Sequence, residues 1–540
     1  MAGQIIRIEN DKSREKASYG DDREFFSGVM ALSISAIVVK IIGLVYKIPM
    51  LRLLGSEGMG YFNSAYEIYA LFCTIATAGS PVAMSVMISR GHKREGAEER
   101  IFRVAVRLFM SLGVLGALLM LALAYPLSIF LGGGRALLAI LAISPTVFFI
   151  CVTSAFRGYY QGLGRMAPTA ISQIIEAAGK LLLGMLFASA ALACGYSTEV
   201  VAAFAVLGLL LGSAISSLYL FLLKRRSGQF STALSRGSSS MIVRSLLRTA
   251  IPVTISAAVV SMTRMVDMTM ILRRLQALGE SSEAAFSAYG CYTTLAVPLF
   301  GIAPALVSSV ALPLIPRLSA AIADRDGSRQ TETVNAGLRL ACLISMPIGM
   351  GMSLFSREIL ELLFGGHSAE IALAAPLLSV LGISVTLSCL VTVTNAILQA
   401  YGASHIPTVS MTAGAIVKIV LAYFLIGDSR IGIMGAPIST LVCDLLISLI
   451  NLYFVIRHLP EGLDVGRSFI GPFSASVLAT VIVRIVYGSA EARFGRGVLI
   501  TLAAISSCAV IYALLCLLFK VVRMGELMAL GRRGADTVRN

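Results

Sequence analysis

The chain has 540 residues, of which 57% are hydrophobic and only 14% are charged. Soluble domains carry about 25% charged residues, so this composition excludes an ordinary soluble protein and indicates a helical protein with many membrane spans. The net charge of +15 does not indicate nucleic-acid binding, because the cations are concentrated in alternate loops between apolar stretches.

Residues 1–25 are polar and charged, and they predict an N-terminal tail rather than a secretory signal peptide. A membrane span needs about 20 apolar residues, and fourteen stretches meet this requirement. They are 26–50, 61–89, 104–130, 136–156, 168–192, 199–223, 249–272, 284–312, 336–356, 372–399, 408–427, 433–456, 469–488 and 498–520. Residues 521–540 then form a polar C-terminal tail. The prediction is an all-α integral membrane protein with about fourteen spans.

The distribution of Lys and Arg predicts the orientation of these spans. Of the 44 such residues, 30 lie in the two tails, in the loops on the same side or in the span ends that adjoin them, and 8 lie in the opposite loops. Cytoplasmic loops carry an excess of Lys and Arg. Both termini are therefore predicted to be cytoplasmic.

The longest basic loop, 224–248, is rich in Ser and Gly and predicts a linker between two halves. Short matches relate the halves in the same chain order: Ile34-Ser35-Ala36 with Ile255-Ser256-Ala257, Ser64-Ala65-Tyr66 with Ser287-Ala288-Tyr289, and Gln161-x-x-Gly164 with Gln399-x-x-Gly402. An internal duplication is predicted, with an N-lobe at 26–223 and a C-lobe at 249–456. Each lobe has six spans, so the repeats are parallel, and the last two spans, in 457–520, lie outside them.

Six cationic side chains lie inside spans that are otherwise apolar, away from the span ends on the predicted cytoplasmic side: Lys40, Lys47, Lys180, Arg264, Lys418 and Arg484. A charge in hydrocarbon costs at least about 2.5–3.5 kcal/mol on insertion scales. That cost is acceptable where the charges face a polar cavity or one another. The sequence therefore predicts a positively lined interior, and hence a route for an anionic substrate.

Lys180 and Lys418 occupy equivalent positions in the two halves, about 17–18 Å along their helices from Pro168 and Pro407. This depth is close to the membrane midplane, and both are predicted to bind the anion. Glu176 lies four residues before Lys180 and can pair with it, so a structural role for Lys180 stays open. Lys418 has no acidic residue within one turn of its own helix, and its partner would come from another helix or from water.

Lys40 and Lys47 lie seven residues apart on one face of the first span. Neither has an acidic neighbour within a turn, and both are predicted to contact substrate; the alternative for Lys47 is that it snorkels to the outer surface. Arg264 is also a predicted substrate contact, although Asp267 follows it by three residues and can partly neutralise it. Arg484 lies near the outer end of its span, and snorkelling is predicted there.

Arg52 and Arg273 are equivalent in the duplication, each just beyond a span on the predicted outer side, and Arg52 is a further predicted substrate contact. Glu67, on the second span, has no obvious partner on its own helix. It is predicted to neutralise Lys40 or Lys47, and the alternative is that it binds a coupling cation.

Nothing in the sequence indicates an enzyme. Motifs for ATP hydrolysis, zinc proteolysis and nucleophilic catalysis do not occur in a suitable context. The nine Cys and four His residues are scattered, so neither a metal site nor a cofactor is predicted.

Two segments resemble a known family. KIIGLVYKIPMLRLLGSEGMGYFNSAYEIYALFCTIATAGSPVAMS, which begins at Lys40, and FRGYYQGLGRMAPTAISQIIE, at 156–176, are similar to the stage V sporulation protein B and polysaccharide-transporter branch of the multidrug/oligosaccharidyl-lipid/polysaccharide (MOP) exporter superfamily. The resemblance extends over roughly residues 25–520. It implies a monomeric alternating-access transporter in a bacterial plasma membrane.

That superfamily includes lipid II flippases, whose cationic cavity contacts a pyrophosphate. The resemblance implies a lipid-linked anionic glycan as substrate and a groove for the polyprenyl tail beside the last two spans. Coupling to Na+, H+ or the membrane potential stays open. Lys40, Lys47 and Arg52 match basic positions of the flippases. Asp267 fits the family pattern, whereas Arg264 departs from it.

Two alternatives remain. A cation-coupled multidrug exporter of the same superfamily would need a cavity lined by acids, and here the cations within the spans outnumber the obvious acids: Glu67, Glu176, Asp267 and Asp444. A non-transporting scaffold for cell-wall enzymes would not need paired cations near the midplane.

Overall fold

The protein is described here from a computed structural model, which describes residues 2–77, 79–91, 97–226, 239–494, 497–519 and 521. No β-strand occurs among these residues, which confirms the all-α prediction. Most of the predicted linker (227–238) and of the predicted C-terminal tail (522–540) lies outside the described residues.

Eighteen α-helices follow one another along the described chain. They are α1 Ala2–Thr77, α2 Ser80–Gly91, α3 Ala97–Gly132, α4 Leu137–Ile143, α5 Thr146–Gly162, α6 Ala167–Ala193, α7 Thr198–Arg226, α8 Ser239–Ala277, α9 Ser282–Cys291, α10 Val297–Phe300, α11 Ile302–Ala323, α12 Gly327–Leu354, α13 Ser356–Phe364, α14 Ser368–Ala400, α15 His405–Ile426, α16 Gly435–His458, α17 Gly471–Phe494 and α18 Val498–Leu518. A π-helical turn, Tyr292–Ala296, lies between α9 and α10.

Twelve helical stretches within the described residues are long and apolar enough to cross a membrane. The predicted count of fourteen is not confirmed, and the difference has two sources. The first two predicted spans join into one stretch, Val38–Ile88, and α8, which contains the predicted span 249–272, is not among the twelve. The remaining predicted spans each correspond to one stretch.

The two helical segments of α1 meet at Gly55, where φ is 67° and ψ is −179°. A positive φ is costly for residues with a Cβ, so glycine is the residue that accommodates this kink. The kink lies between the first two predicted spans. It allows one helix to carry Lys47 on one side and Glu67 on the other.

The chain forms two compact units. The first comprises Met1–Arg273 with Ser281–Gly290, and the second comprises Arg274–Glu280 with Cys291–Asn540. These bounds differ from those of the predicted lobes, because most of α8 belongs to the first unit. The lobe boundaries stay a prediction.

Helices α6 and α7 of the first unit approach each other through glycines. A Cβ added to Gly208 would lie 2.2 Å from the backbone nitrogen of Gly184, and one added to Gly179 would lie 2.4 Å from the Cα atom of Gly212. Small residues allow such close backbone packing between membrane helices. The contact also fixes the position of Lys180, the residue after Gly179.

We expect Gly208→Ala to destabilise the protein by about 1–3 kcal/mol, because overpacking forces side chains and backbone apart. The measurement is thermal unfolding of the purified protein in detergent. Gly351→Ala is the matched control, because no other heavy atom lies within 4 Å of a Cβ added there. Equal unfolding temperatures for the two variants would contradict the close α6–α7 packing.

Candidate functional site

A charge cluster lies inside the first unit. It consists of Lys47 and Glu67 on α1, Lys180 on α6, and Arg264 and Asp267 on α8. Glu67 lies close enough to the other four for direct electrostatic interaction, and Lys47 also interacts with Lys180. The cluster thus contains three cations and two carboxylates. Because the kink at Gly55 divides α1, residues twenty positions apart in sequence meet at this site.

Lys180 is half-buried and is surrounded by aromatic rings. Its Nζ atom lies 5.1 Å from the ring centroid of Tyr46, 5.5 Å from that of Phe62 and 4.5 Å from that of Tyr66. Each such cation–π contact contributes about 0.5–2 kcal/mol. The rings hold the ammonium group in place without neutralising its charge. We call Tyr46, Phe62 and Tyr66 the Lys180 cage.

Glu176 has its ion pair with Arg157 of α5. The Nη2 atom of Arg157 lies 2.9 Å from Oε2 of Glu176, and its Nε donates a hydrogen bond of 2.8 Å to Oγ of Ser172. The sequence left open a pair between Glu176 and Lys180, and the structure replaces it with this one. Arg157, rather than Lys180, is the ion-pair partner of Glu176. Arg157 lies on a neighbouring helix, so the spacing along α6 cannot reveal it. Glu176 still attracts Lys180 at longer range.

Removing Arg157 should cost stability. The Arg157 and Glu176 side chains are only 16% and 21% exposed, so Arg157→Gln leaves a largely buried carboxylate uncompensated. Breaking a fully buried pair costs about 3–5 kcal/mol, and we expect up to about 3 kcal/mol here. Thermal unfolding of Arg157→Gln should therefore occur at lower temperature, and Arg157→Gln/Glu176→Gln should recover most of the loss. A double variant as unstable as the single one would contradict the pairing.

The other predicted substrate contacts of the first unit are Lys40, Arg52 and Arg264, and all three are exposed. Arg264 belongs to the charge cluster through its interaction with Glu67. Lys40 and Arg52 lie outside it, on α1, and their role stays a prediction. Arg273, the sequence equivalent of Arg52, places its guanidinium 4.9 Å from the ring centroid of Phe130.

The second unit contains Lys418, which is half-buried on α15. Asp444 of α16 interacts with it electrostatically and accepts a hydrogen bond of 2.7 Å from the Ser384 hydroxyl of α14. The acidic neighbour of Lys418 thus comes from another helix, which is one of the two sources that the sequence allowed. Lys180 and Lys418 are equivalent in sequence, yet one is held by aromatic rings and the other lies beside a carboxylate.

Arg484 of α17 forms an ion pair with Glu358 of α13, within the second unit. Its guanidinium also lies 5.2 Å from the ring centroid of Phe355 and 5.9 Å from that of Tyr487. Arg484 thus has an acidic partner that is only 8% exposed, and its snorkelling stays a prediction.

Sequence reasoning missed the Lys180 cage. Its residues lie 16 and 20 positions apart on a kinked helix, so no regular spacing relates them to α6. The adjacency of Tyr46 to Lys47 and of Tyr66 to Glu67 was a signal that could have indicated them. Among the described residues, no group of three or more His, Cys, Asp or Glu side chains could hold a metal ion.

Comparison with known proteins places the chain in a family. The sequence model described as "Polysaccharide biosynthesis protein" matches residues 25–321, which is more than half of the chain. The chain belongs to the polysaccharide biosynthesis protein family. A second sequence model, MatE, matches residues 252–424. The chain is thereby a member of the MOP exporter superfamily, as the resemblance indicated.

Curated relatives of this family member come from Bacillus subtilis (strain 168). "Stage V sporulation protein B" is 26% identical over 525 residues, covering 93% of this chain and 97% of that protein. "Lipid II flippase MurJ" is 25% identical over 425 residues, covering 73% of this chain and 76% of that protein.

Solved structures share the fold. The structure titled "Lipid II flippase MurJ, inward closed conformation" has a TM-score of 0.67 at 16% identity, covering 91% of this chain and 98% of that chain. An inward-facing MATE multidrug transporter of the MOP superfamily has a TM-score of 0.63 at 18% identity, covering 80% of this chain and 98% of that chain. At these identities the similarity shows the fold alone.

Proposed function

We propose that this protein is a flippase that moves a glycan linked to undecaprenyl pyrophosphate across the bacterial plasma membrane. The glycan is a lipid II-like peptidoglycan precursor or a polysaccharide unit, used for cell-envelope or spore-cortex synthesis. The observation that carries the proposal is the charge cluster of the first unit, in which Lys47, Lys180 and Arg264 surround Glu67. Both termini are cytoplasmic, and transport proceeds by alternating access.

The chemistry of the cluster suits a pyrophosphate. Hydrogen bonds between ionised partners are roughly twice as strong as neutral ones, and ammonium groups are common ligands for phosphate. The cluster has one cation more than its carboxylates can neutralise. A diphosphate group would offset that positive charge.

The Lys180 cage adds a second feature for an anion. The hydroxyl group of the buried Tyr46 has no hydrogen-bond partner within the described part of the chain. A buried polar group without a hydrogen bond costs about 1–3 kcal/mol. An oxygen atom of a bound phosphate could accept a hydrogen bond from it and remove that cost.

The named relatives support this choice over the alternatives. A stage V sporulation protein B and a lipid II flippase are similar over most of this chain. The MATE transporters share the fold, which keeps a cation-coupled multidrug exporter as the second candidate, but the excess of cations over acids in the cluster disfavours a cationic cargo. A scaffold without transport would not need such a cluster.

Glu67 is proposed to balance Lys47 and Lys180 while the site is empty. When the substrate binds, Glu67 would no longer neutralise the two lysines. Coupling to Na+, H+ or the membrane potential would act at this step. We propose that the transporter works as a monomer, with the lipid bilayer and the lipid-linked glycan as its partners.

Native mass spectrometry of the full chain tests the proposal. The protein is mixed with lipid II, with undecaprenyl pyrophosphate, and with a cationic dye of the kind that multidrug exporters carry. We expect the unaltered protein to retain both pyrophosphate lipids, and we expect Lys47→Gln to retain them more weakly. Retention of the dye alone would favour the multidrug exporter, and retention of none of the three would contradict both transporter functions.

A further inference from the structure

A pocket lies in the first unit, and none of its lining residues belongs to the charge cluster. It is a cavity of about 430 Å³ bounded by α3, α5 and α7. Sites for small molecules typically measure about 300–1,000 Å³ and are mostly apolar. The walls are largely aromatic and aliphatic, and Phe148, Phe149 and Phe156 of α5 line one side.

The cavity opens onto an apolar surface. Three residues that line it are also exposed, namely Met110 by 39%, Leu218 by 54% and Phe221 by 42%. Other exposed apolar residues continue this surface on α3 and α7: Val114, Leu115, Leu118, Leu119, Leu211, Ile215 and Leu222. In a membrane protein such a surface contacts lipid, so the cavity is accessible from the bilayer.

Two arginines distinguish the cavity from an ordinary apolar groove. Arg103 and Arg107 both line it and lie one turn apart on the same face of α3. They are six and ten residues from the start of that helix, about 9 and 15 Å along its axis. The loop before α3 is among the basic loops that are predicted to be cytoplasmic. The arginines can therefore reach the headgroup level of the cytoplasmic leaflet.

Two carboxylates lie near the arginines on the same helix, Glu98 and Glu99. Glu99, one turn before Arg103, pairs with Lys224 at 2.8 Å, and Lys224 also donates a hydrogen bond of 2.6 Å to the Tyr159 hydroxyl. Cations outnumber these two carboxylates here, because Arg100, Arg103 and Arg107 lie in the first turns of α3 and Lys224, Arg225 and Arg226 lie in the last turn of α7. This end of the cavity therefore carries a net positive charge.

We propose that the α3–α5–α7 cavity binds an anionic phospholipid of the cytoplasmic leaflet. The phosphate contacts Arg103 and Arg107, and one acyl chain fills the aromatic part of the cavity. Polybasic sites attract anionic lipids by about 1 kcal/mol per Lys or Arg, and the apolar lining adds a hydrophobic contribution. The site is distinct from the proposed substrate site and does not depend on it.

Native mass spectrometry of the full-length protein, titrated with phosphatidylglycerol or phosphatidylcholine, tests this site. We expect one phosphatidylglycerol to be retained in preference to phosphatidylcholine. Arg107→Gln and Arg103→Gln should each weaken that retention about fivefold. Val152→Phe should weaken it by filling the cavity without changing a charge, and Arg317→Gln, an exposed cation of the second unit, should have no effect.

Equal retention of the two phospholipids, or unchanged phosphatidylglycerol retention in both Arg107→Gln and Val152→Phe, would overturn the proposal. So would displacement of the bound phosphatidylglycerol, one for one, by undecaprenyl pyrophosphate, because the cavity would then belong to the substrate. Binding of undecaprenyl pyrophosphate should be the same in Arg107→Gln as in the unaltered protein. A result that contradicts the lipid site would therefore not contradict the proposed flippase function.

Discussion

Lys180→Gln is expected to abolish transport and to weaken the binding of a polyprenyl pyrophosphate by about thirtyfold or more. Truncating one partner of a buried charged contact costs about 2 kcal/mol or more, which corresponds to that factor. Lys180 should have this effect because its ammonium lies against three aromatic rings, while Glu176 is engaged by Arg157. The charge of Lys180 therefore remains available to an anion.

Two controls separate this effect from misfolding. Lys180→Arg keeps the charge and the ability to stack on aromatic rings, so it should retain part of the binding. Arg484→Gln removes a cation that pairs with Glu358 in the second unit, and it should leave pyrophosphate binding unchanged. If Lys180→Gln binds pyrophosphate as well as Arg484→Gln does, Lys180 does not contact the substrate.

Lys418→Gln is the second variant with a large expected effect, and it should abolish transport while the protein still reaches the membrane. Asp444 complicates its interpretation, because this carboxylate interacts with Lys418 and accepts a hydrogen bond from Ser384. Removing Lys418 alone removes the predicted substrate contact and also leaves Asp444 without its cationic neighbour. The single variant should therefore lose stability as well as transport.

Lys418→Gln/Asp444→Asn resolves the two contributions. The double variant restores electrical neutrality, so we expect thermal stability to return towards that of the unaltered protein. Transport should stay absent, because the predicted contact with the anion is still missing. Recovery of both stability and transport would show that Lys418 serves only to balance Asp444. The assay is complementation of a cell depleted of its flippase, with protein in the membrane quantified.

Much of the fold was predictable from the sequence, because long apolar stretches have few alternatives in a bilayer. The count of spans was less secure, because Gly55 joins the first two predicted spans into one continuous helical stretch.

The pairing of charges was the least predictable part. Spacing along one helix suggested that Glu176 pairs with Lys180, but the ion pair of Glu176 is with Arg157 from a neighbouring helix. The same holds for Lys418, whose acidic neighbour Asp444 comes from α16. A periodic pattern reports which residues share a face of one helix, and it contains no information about what the next helix presents. Such partners emerge only from packing.

The most direct test of the proposed flippase function is transport in reconstituted vesicles. Lipid II is placed in the inner leaflet with the purified protein, and its exposure on the outside is followed with a reagent that does not cross the membrane. The unaltered protein and Arg484→Gln should expose lipid II at similar rates, and Lys180→Gln should not exceed protein-free vesicles. Equal exposure by Lys180→Gln and the unaltered protein, or no exposure by either, would contradict transport through the Lys180 site.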